Sequence, residues 1–405
     1  MTEETNIARI GIFLCKCSGC IARTIDLQNV LEFASSLKNV VSVQIGEALC
    51  SDEGIDEMRK AIGLYSMNKI VLGACSPLLY LSKFKTVLGN GSPAKIAVDM
   101  ANLREQCSMV HSKLPRMATV KACDQLAMIV AKANALGSSE EGGSVALLEP
   151  CLCDGCGVCR TVCRTNSVQI VSDPDRRWKR IAQVNLETCN DCGACVVACP
   201  NGAKDLISHL DAQVMAQIDS ISSRGFARDI FAPKVIVFTC NWCTYFSADL
   251  AGIMRLELPT EFRSIRVPCC AEIEPEWIIK AFARGIDGIL VMSGSRGSCR
   301  HENAIGRVRK RIALLNAMLA GLRLGDKRLK MCWITPQDAE EYRREVTEFT
   351  NSIVAIGPNP IRLKVWEIEG VGRVPEMVRR ELESDQASES DEDVLQDEWG
   401  GPTRV

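Results

Sequence analysis

The sequence predicts a multidomain chain of α/β and α+β class, with two parallel-sheet units on either side of a small cysteine-rich unit. Three observations carry that prediction. Strand-like and helix-like stretches alternate over residues 8–136 and again over 233–358. Two cysteine runs of identical spacing lie between them, and glycine- and serine-rich punctuation separates the parts.

In the first unit Ile10–Leu14 is an apolar run of strand length, Asp26–Ser36 is helical, Val41–Ile45 is a strand, Ile55–Leu64 a helix and Lys69–Leu72 another strand. Strands alternating with helices argue for a doubly wound, Rossmann-like parallel sheet. Ligands of such sheets sit beyond the carboxyl ends of the strands, and that is where cysteines fall. Cys15 and Cys17 follow the first strand, Cys50 the second, Cys75 the third, and Cys107 the stretch from Pro93 to Asn102. The set at 17, 50, 75 and 107 is expected to hold a [4Fe-4S] cluster, with Cys15 competing with Cys17 for one position. Cys20 gains no role from its position. Cys123, in the apolar helix Val120–Ala131, reads as a small buried hydrophobe.

Gly137–Gly143 is a linker by composition. Beyond it come Cys153, Cys156, Cys159 and Cys163, then Cys189, Cys192, Cys195 and Cys199 followed by Pro200. Each run reads C-x2-C-x2-C-x3-C, the spacing that wraps three thiolates around one cubane and sends the fourth to its neighbour. Cys153, Cys156, Cys159 and Cys199 are therefore expected to hold one [4Fe-4S] cluster, and Cys189, Cys192, Cys195 and Cys163 the other. Val145–Leu148 and Ile181–Val184 read as short strands leading into the two loops, as in a 2[4Fe-4S] ferredoxin-like unit spanning 144–221. Zinc also takes C-x2-C pairs, but it needs only four ligands and gives no reason for the further steps, twice over. The first run is followed by Arg164 where such units carry proline. A cation there favours the more negative, reduced cluster, which in the crossed arrangement is the one held by Cys189, Cys192 and Cys195.

Residues 233–358 repeat the logic of the first unit. Val235–Phe238 ends in Cys240-Asn241-Trp242-Cys243, Ser264–Val267 leads to Cys269-Cys270, Gly288–Met292 leads to Cys299, and Leu329–Thr335 is a fourth strand. Helical stretches Tyr245–Met254, Pro275–Gly285, His301–Leu322 and Pro336–Phe349 fill the gaps. Cys240, Cys243, Cys269 and Cys299 can converge on one metal centre, and one C-x2-C with two remote cysteines also suits zinc. Cys332 lies inside a strand and reads as core. Neither Cys151 nor Cys270 gains a role from its position.

Twenty-two cysteines in 405 residues, with an acidic amino terminus in place of a basic signal segment, point to a reducing, cytoplasmic setting rather than a disulfide framework. No apolar run approaches the ~18 residues a membrane span needs. Glu381–Glu398 contains nine acidic residues and no Lys or Arg, so 381–405 is expected to be a disordered acidic tail. Without it the chain is only mildly basic, which argues against a nucleic-acid partner. Three histidines, His111, His209 and His301, leave little room for acid–base or histidine-metal chemistry.

Phe13-Leu14-Cys15-Lys16-Cys17, Leu49-Cys50-Ser51, Gly73-Ala74-Cys75-Ser76-Pro77 and Asn102-Leu103-Arg104-Glu105-Gln106-Cys107-Ser108 resemble the amino-terminal cluster domain of the A-type subunit of heterodisulfide reductase. The cysteine-rich unit, continuing through Ala212–Ile218, is similar to the carboxyl-terminal ferredoxin module of the same family. Residues 233–358 resemble the delta subunit of methyl-viologen-reducing hydrogenase in Cys240-Asn241-Trp242-Cys243-Thr244-Tyr245, in Ile265-Arg266-Val267-Pro268-Cys269 and in Gly297-Ser298-Cys299. That resemblance implies a [2Fe-2S] cluster on Cys240, Cys243, Cys269 and Cys299. Two departures stand out there: Gly294 replaces a common cysteine, and Ser298 an aspartate. The heterodisulfide reductase family also implies a flavin domain between the first two modules, whereas here Leu136 joins Ser144 through the linker and no G-x-G-x-x-G follows a strand. The resemblance thus implies a flavin-free electron relay among heterodisulfide-reductase-like subunits and a hydrogenase or formate dehydrogenase. Catalysis then belongs to the complex, and a homodimer is allowed within it. Rivals are a component of a class II benzoyl-coenzyme A reductase or methylenetetrahydrofolate reductase assembly, and a zinc-stabilised scaffold.

Overall fold

The computed structural model describes residues 8–89, 96–135, 146–185, 188–189, 193–206, 209–223, 231–299, 302–322, 324 and 327–362. The linker 137–143, Cys192, His301 and the acidic segment 381–405 lie outside these.

Strands β1 (Ile10–Cys15), β2 (Val40–Gly46), β3 (Lys69–Ala74) and β4 (Ala97–Asn102) form a parallel sheet in the order β2-β1-β3-β4. β1 and β3 are buried at every position, as continuous apolar strands of a sheet covered on both faces must be. The connecting helices are α1 (Leu27–Ser35), α2 (Asp52–Leu64), α3 (Pro77–Gly89) and α4 (Pro115–Ala135). Asp26 starts α1 by accepting from the Gln28 and Asn29 N–H groups, and Ser51 starts α2 by accepting from Gly54, each satisfying amides that a helix start leaves unpaired.

The middle segment is built of short pieces: β5 (Ala146–Leu148), α5 (Val158–Thr161), β6 (Val168–Ser172), β7 (Arg180–Val184), α6 (Ala194–Val197), β8 (Lys204–Leu206) and the longer α7 (Asp211–Ser222). β5 pairs antiparallel with β8, and β6 with β7, which gives the segment an internal two-fold pattern. Gly157 and Gly193 open α5 and α6 at φ +81° and +72°, a left-handed conformation that glycine adopts without steric cost.

A second parallel sheet joins β9 (Val235–Cys240), β10 (Phe262–Val267), β11 (Gly288–Gly294) and β12 (Leu329–Ile334) in the order β10-β9-β11-β12. This is the strand order of the first sheet. Helices α8 (Thr244–Ile253) and α11 (Ala339–Ile356) cover the face carrying Val235, Val237, Leu290 and Met292. Helices α9 (Pro275–Ala283) and α10 (Glu302–Gly321) cover the face carrying Ile236, Phe238, Ile289 and Val291. The alternation follows from the period of two along a strand.

The parts interlock. Val214, Ile218 and Ile221 of α7 and Met128 of α4 join the core under β9 and β10, while Val110 joins the core on the other face. Arg263 of β10 is buried and donates through Nε to Asp124 of α4 at 3.0 Å, and the Lys121 ammonium lies 3.7 Å from the Phe262 ring centre. The Trp277 indole donates to Asp211 at 2.9 Å. Among the described residues no helix is long and apolar enough to cross a membrane.

Candidate iron–sulfur sites

In both sheets the strand order reverses between the first and third strands, and loops open beyond the carboxyl ends there. At the first sheet, Cys15 closes β1, and Cys17 and Ser18 take left-handed conformations at φ +53° and +49°. Cys15 donates to Cys17 and is pushed well up by that contact and by its own burial. Cys17 is drawn down by the same contact and by the Arg104 guanidinium, whose Nη1 is 3.4 Å from its sulfur. Cys75 is buried, which raises its thiol to about 12, and the charges of Arg104, Glu105, Cys17 and Cys50 also bear on it. Cys17, Cys50 and Cys75 thus share one electrostatic neighbourhood. Cys107 has different surroundings. It lies in a π-helical turn, Arg104–Met109, is wholly buried, donates to the Asn102 carbonyl and feels Lys121, Arg263, Asp124 and Cys123. Cys20 is exposed.

In the middle segment one hollow is lined by Cys153, Cys156, Cys159 and Cys199 together with Ile170, Ala182 and Lys204. The lining thus takes three cysteines from the first run and the last of the second. Ser167 N–H donates to Cys163 Sγ at 3.2 Å, and Ala203 N–H donates to Cys199 Sγ at 3.3 Å; amide donors of this kind hold a thiolate and tune a cluster. Cys159 and Cys195 are buried and Cys189 is half-buried. Arg164 is exposed.

The second sheet gathers its thiols more tightly. Cys240, drawn well down, takes hydrogen bonds from Cys243 and Cys269, and Cys269 is pushed up by Cys240 and Cys270. Cys270 donates to Ser293 at 3.1 Å, and Cys299 acts on its charge. A Cβ on Gly294 would fall 2.6 Å from Cys243 Sγ and 3.3 Å from the Cys299 Cα. A side chain there therefore needs the Cys243 thiol to shift, which glycine avoids. Cys332 is buried inside β12, as expected of core.

The middle segment also touches the second sheet at its thiols. A Cβ on Gly193 would lie 2.7 Å from Pro268 Cβ, so the loop of the second cysteine run abuts the residue before Cys269. Val197 of α6 packs in the same core as Cys269 and Cys270.

Among the described residues no three Cys, His, Asp or Glu side chains gather tightly enough to hold a single metal ion. The thiol-rich hollow, its amide donors and its glycine-shaped loops fit the soft-donor, wide cradle that an iron–sulfur cluster takes. Sequence reasoning did not reach Arg104 beside Cys17, the Cys270–Ser293 contact or Lys204 in the hollow. Only the adjacency of Cys269 and Cys270 hinted at the second of these. His111 is buried against Lys121, 3.1 Å away, which accords with a structural role.

Comparison with known proteins supports an iron–sulfur, electron-transfer role. A family profile described as a 4Fe-4S dicluster domain matches residues 152–203, and one for the methyl-viologen-reducing hydrogenase delta subunit matches 235–357. The D-type iron-sulfur subunit of the vhc F420-non-reducing hydrogenase of Methanococcus voltae is 34% identical over 137 residues, 34% of this chain and 95% of that relative. The A-type subunit of the ferredoxin:CoB-CoM heterodisulfide reductase of Methanosarcina mazei is 34% identical over 228 residues, 56% of this chain and 27% of the relative. An A-type iron-sulfur subunit of CoB–CoM heterodisulfide reductase from Methanopyrus kandleri is 41% identical over 140 residues, 35% of this chain and 21% of the relative. The chain belongs to the methyl-viologen-reducing hydrogenase delta-subunit family, with that domain fused behind a part similar to the A-type subunit of heterodisulfide reductase. It spans about a quarter of the length of those heterodisulfide reductase relatives.

Proposed function

We propose that this chain is a cytoplasmic electron relay in a heterodisulfide-reductase-like complex, between a hydrogenase- or formate-dehydrogenase-type donor and a flavin or disulfide-reducing partner. The contact of Gly193 with Pro268 carries the proposal, because it sets the second cysteine loop of the middle segment against the cysteines of the second sheet. Residues 8–136, 144–221 and 233–358 act as the three functional units. Cys153, Cys156, Cys159 and Cys199 hold one [4Fe-4S] cluster, and Cys189, Cys192, Cys195 and Cys163 hold the other. Cys240, Cys243, Cys269 and Cys299 hold a [2Fe-2S] cluster, and Cys17, Cys50, Cys75 and Cys107 a third cubane. Bound clusters supply one-electron acceptance and release at potentials that burial, hydrogen bonds and charge adjust. The chain's own residues position the thiolates, donate amides to them and exclude water.

Anaerobic iron and sulfide analysis should give about fourteen irons per chain from that cluster stoichiometry, without stoichiometric flavin. Replacing Cys240 and Cys243 by Ser should remove the [2Fe-2S] signal and block reduction by the physiological donor, leaving the cubanes reducible by dithionite. Tightly bound zinc with fewer than about eight irons, eight being two cubanes' worth, would sink the relay reading in favour of a scaffold. A double variant still reduced by its donor at the normal rate would remove the second sheet from the route.

A further inference from the structure

The two cysteine runs of the middle segment correspond beyond their cysteines. Four residues after each closing cysteine a backbone amide donates to its sulfur, from Ser167 to Cys163 and from Ala203 to Cys199. The next residue begins a strand in each case, Val168 in β6 and Lys204 in β8, and each is only 3% exposed. At equivalent places one cradle therefore has an aliphatic side chain and the other an ammonium.

Lys204 lines the hollow of Cys153, Cys156, Cys159 and Cys199. Its Nζ has no hydrogen-bond acceptor among the described residues. Leu148, Ile170, Ala182 and Ala203 make much of the remaining wall apolar. The lining carboxylate, Asp154, is exposed and accepts from the Cys156 N–H at 3.0 Å. A buried ammonium without an acceptor is costly, and negative charge delivered into the same space offsets that cost. A four-thiolate iron–sulfur cluster is such a charge, and its reduced form is the more negative.

We propose that Lys204 is a built-in counter-charge that raises the reduction potential of the cluster held by Cys153, Cys156, Cys159 and Cys199, while Val168 leaves its twin without one. This rests on the ferredoxin-like ligand sets above. Lys204 acts as a tuning residue and touches no substrate. Its effect exceeds that of Arg164, because Arg164 is exposed and solvent and salt screen its field.

The test is a redox titration of the anaerobically purified full chain, followed by electron paramagnetic resonance, for Lys204→Val, Lys204→Arg and Arg164→Ala beside the unaltered protein. Lys204→Val copies the twin cradle. At the unaltered midpoint its reduced-to-oxidised ratio should drop at least tenfold for one cubane, a shift of about 59 mV for a one-electron couple, while the other cubane stays in place. Lys204→Arg should hold the potential, and Arg164→Ala should move its cubane less. Should Lys204→Val shed iron, Lys204→Gln keeps most of the stem and carries the same expectation. Full iron with both cubane midpoints unmoved, or equal shifts for Val and Arg at 204, overturns the proposal. Too little iron in the unaltered chain to fill two cubanes overturns the ligand sets instead.

Discussion

The two parallel sheets share one strand order and offer cysteines at the same reversal, yet their edges differ. All seven residues of the edge strand β2 are only half-buried, whereas five of the six in β10 are buried. The cause is that α4 and α7 lie against β10, while solvent meets β2. With that edge covered, Cys240, Cys243 and Cys269 are buried and Cys299 half-buried, whereas at the first sheet Cys75 and Cys107 are buried and Cys17 and Cys50 half-buried. The same topology thus serves once as an enclosed hub, against which the other parts pack, and once as an open periphery. An open crevice is where a partner can reach a cluster, and an enclosed one is where potentials can be held against water.

The largest expected effect comes from breaking the base of the hub. Asp287 is fully buried, accepts from the Lys234 and Asn359 backbone N–H groups at 2.7 Å each, and pairs with Arg362. Asp287→Ala takes the carboxylate partner from a buried cation and from two amides and should cost about 3–5 kcal/mol, read as a lower urea midpoint. The peripheral pair Lys16–Glu47, 46% and 69% exposed, should cost at most about 1 kcal/mol when Glu47 is replaced by Ala. Equal losses at the two places would remove the distinction between hub and periphery.

A smaller effect concerns the joint between the sheets. Glycine-to-alanine inside a helix ordinarily gains about 1 kcal/mol. In α8, however, a Cβ on Gly252 would lie 2.4 Å from the Glu105 carbonyl oxygen. Overpacking wins, and Gly252→Ala should lose about 1–3 kcal/mol. A raised melting temperature would show that α8 does not press on the π-helical turn.

A further effect is one of pH. Asp249 of α8 accepts from Asn102 at 2.9 Å and from Ser76, and burial raises its carboxyl to about 7. An unfolded aspartate ionises near about 4. Between the two values the folded chain holds a proton that the unfolded chain has lost, so stability should fall as pH rises through that window. Urea midpoints taken from about pH 5 to 8, spanning most of that window, should show the slope, and Asp249→Asn should flatten it. An unchanged slope in the variant would assign it to other groups.

Much of the fold was legible locally. Ile10–Leu14, Val235–Phe238 and Gly288–Met292 are apolar runs of strand length, and β1, β9 and β11 appear there, each one or two residues longer. Helix α3 and the π-helical turn at Arg104–Met109 escaped, since neither carries a periodicity distinct from its neighbours. Of the candidate site, the cysteine spacing alone is legible, because spacing is a property of short loops. Cys107 shows the limit: its place after β4 matches the pattern, but its buried surroundings of Lys121, Asp124 and Cys123 come from the next helix, α4, and Arg263 from β10, remote in sequence.

By itself the sequence determined which loops carry thiols and which stretches are strands, because both depend on neighbours a few residues away. Only the tertiary structure decided that Pro268 meets Gly193, that Asp249 reaches Ser76 and Asn102, and that Lys204 is buried where Val168 stands in the twin loop. A lysine in a three-residue strand reads as solvated until the packing around it is known. Burial is a property of all the chain that surrounds a residue, and close packing of distant segments decides which charges water can still reach.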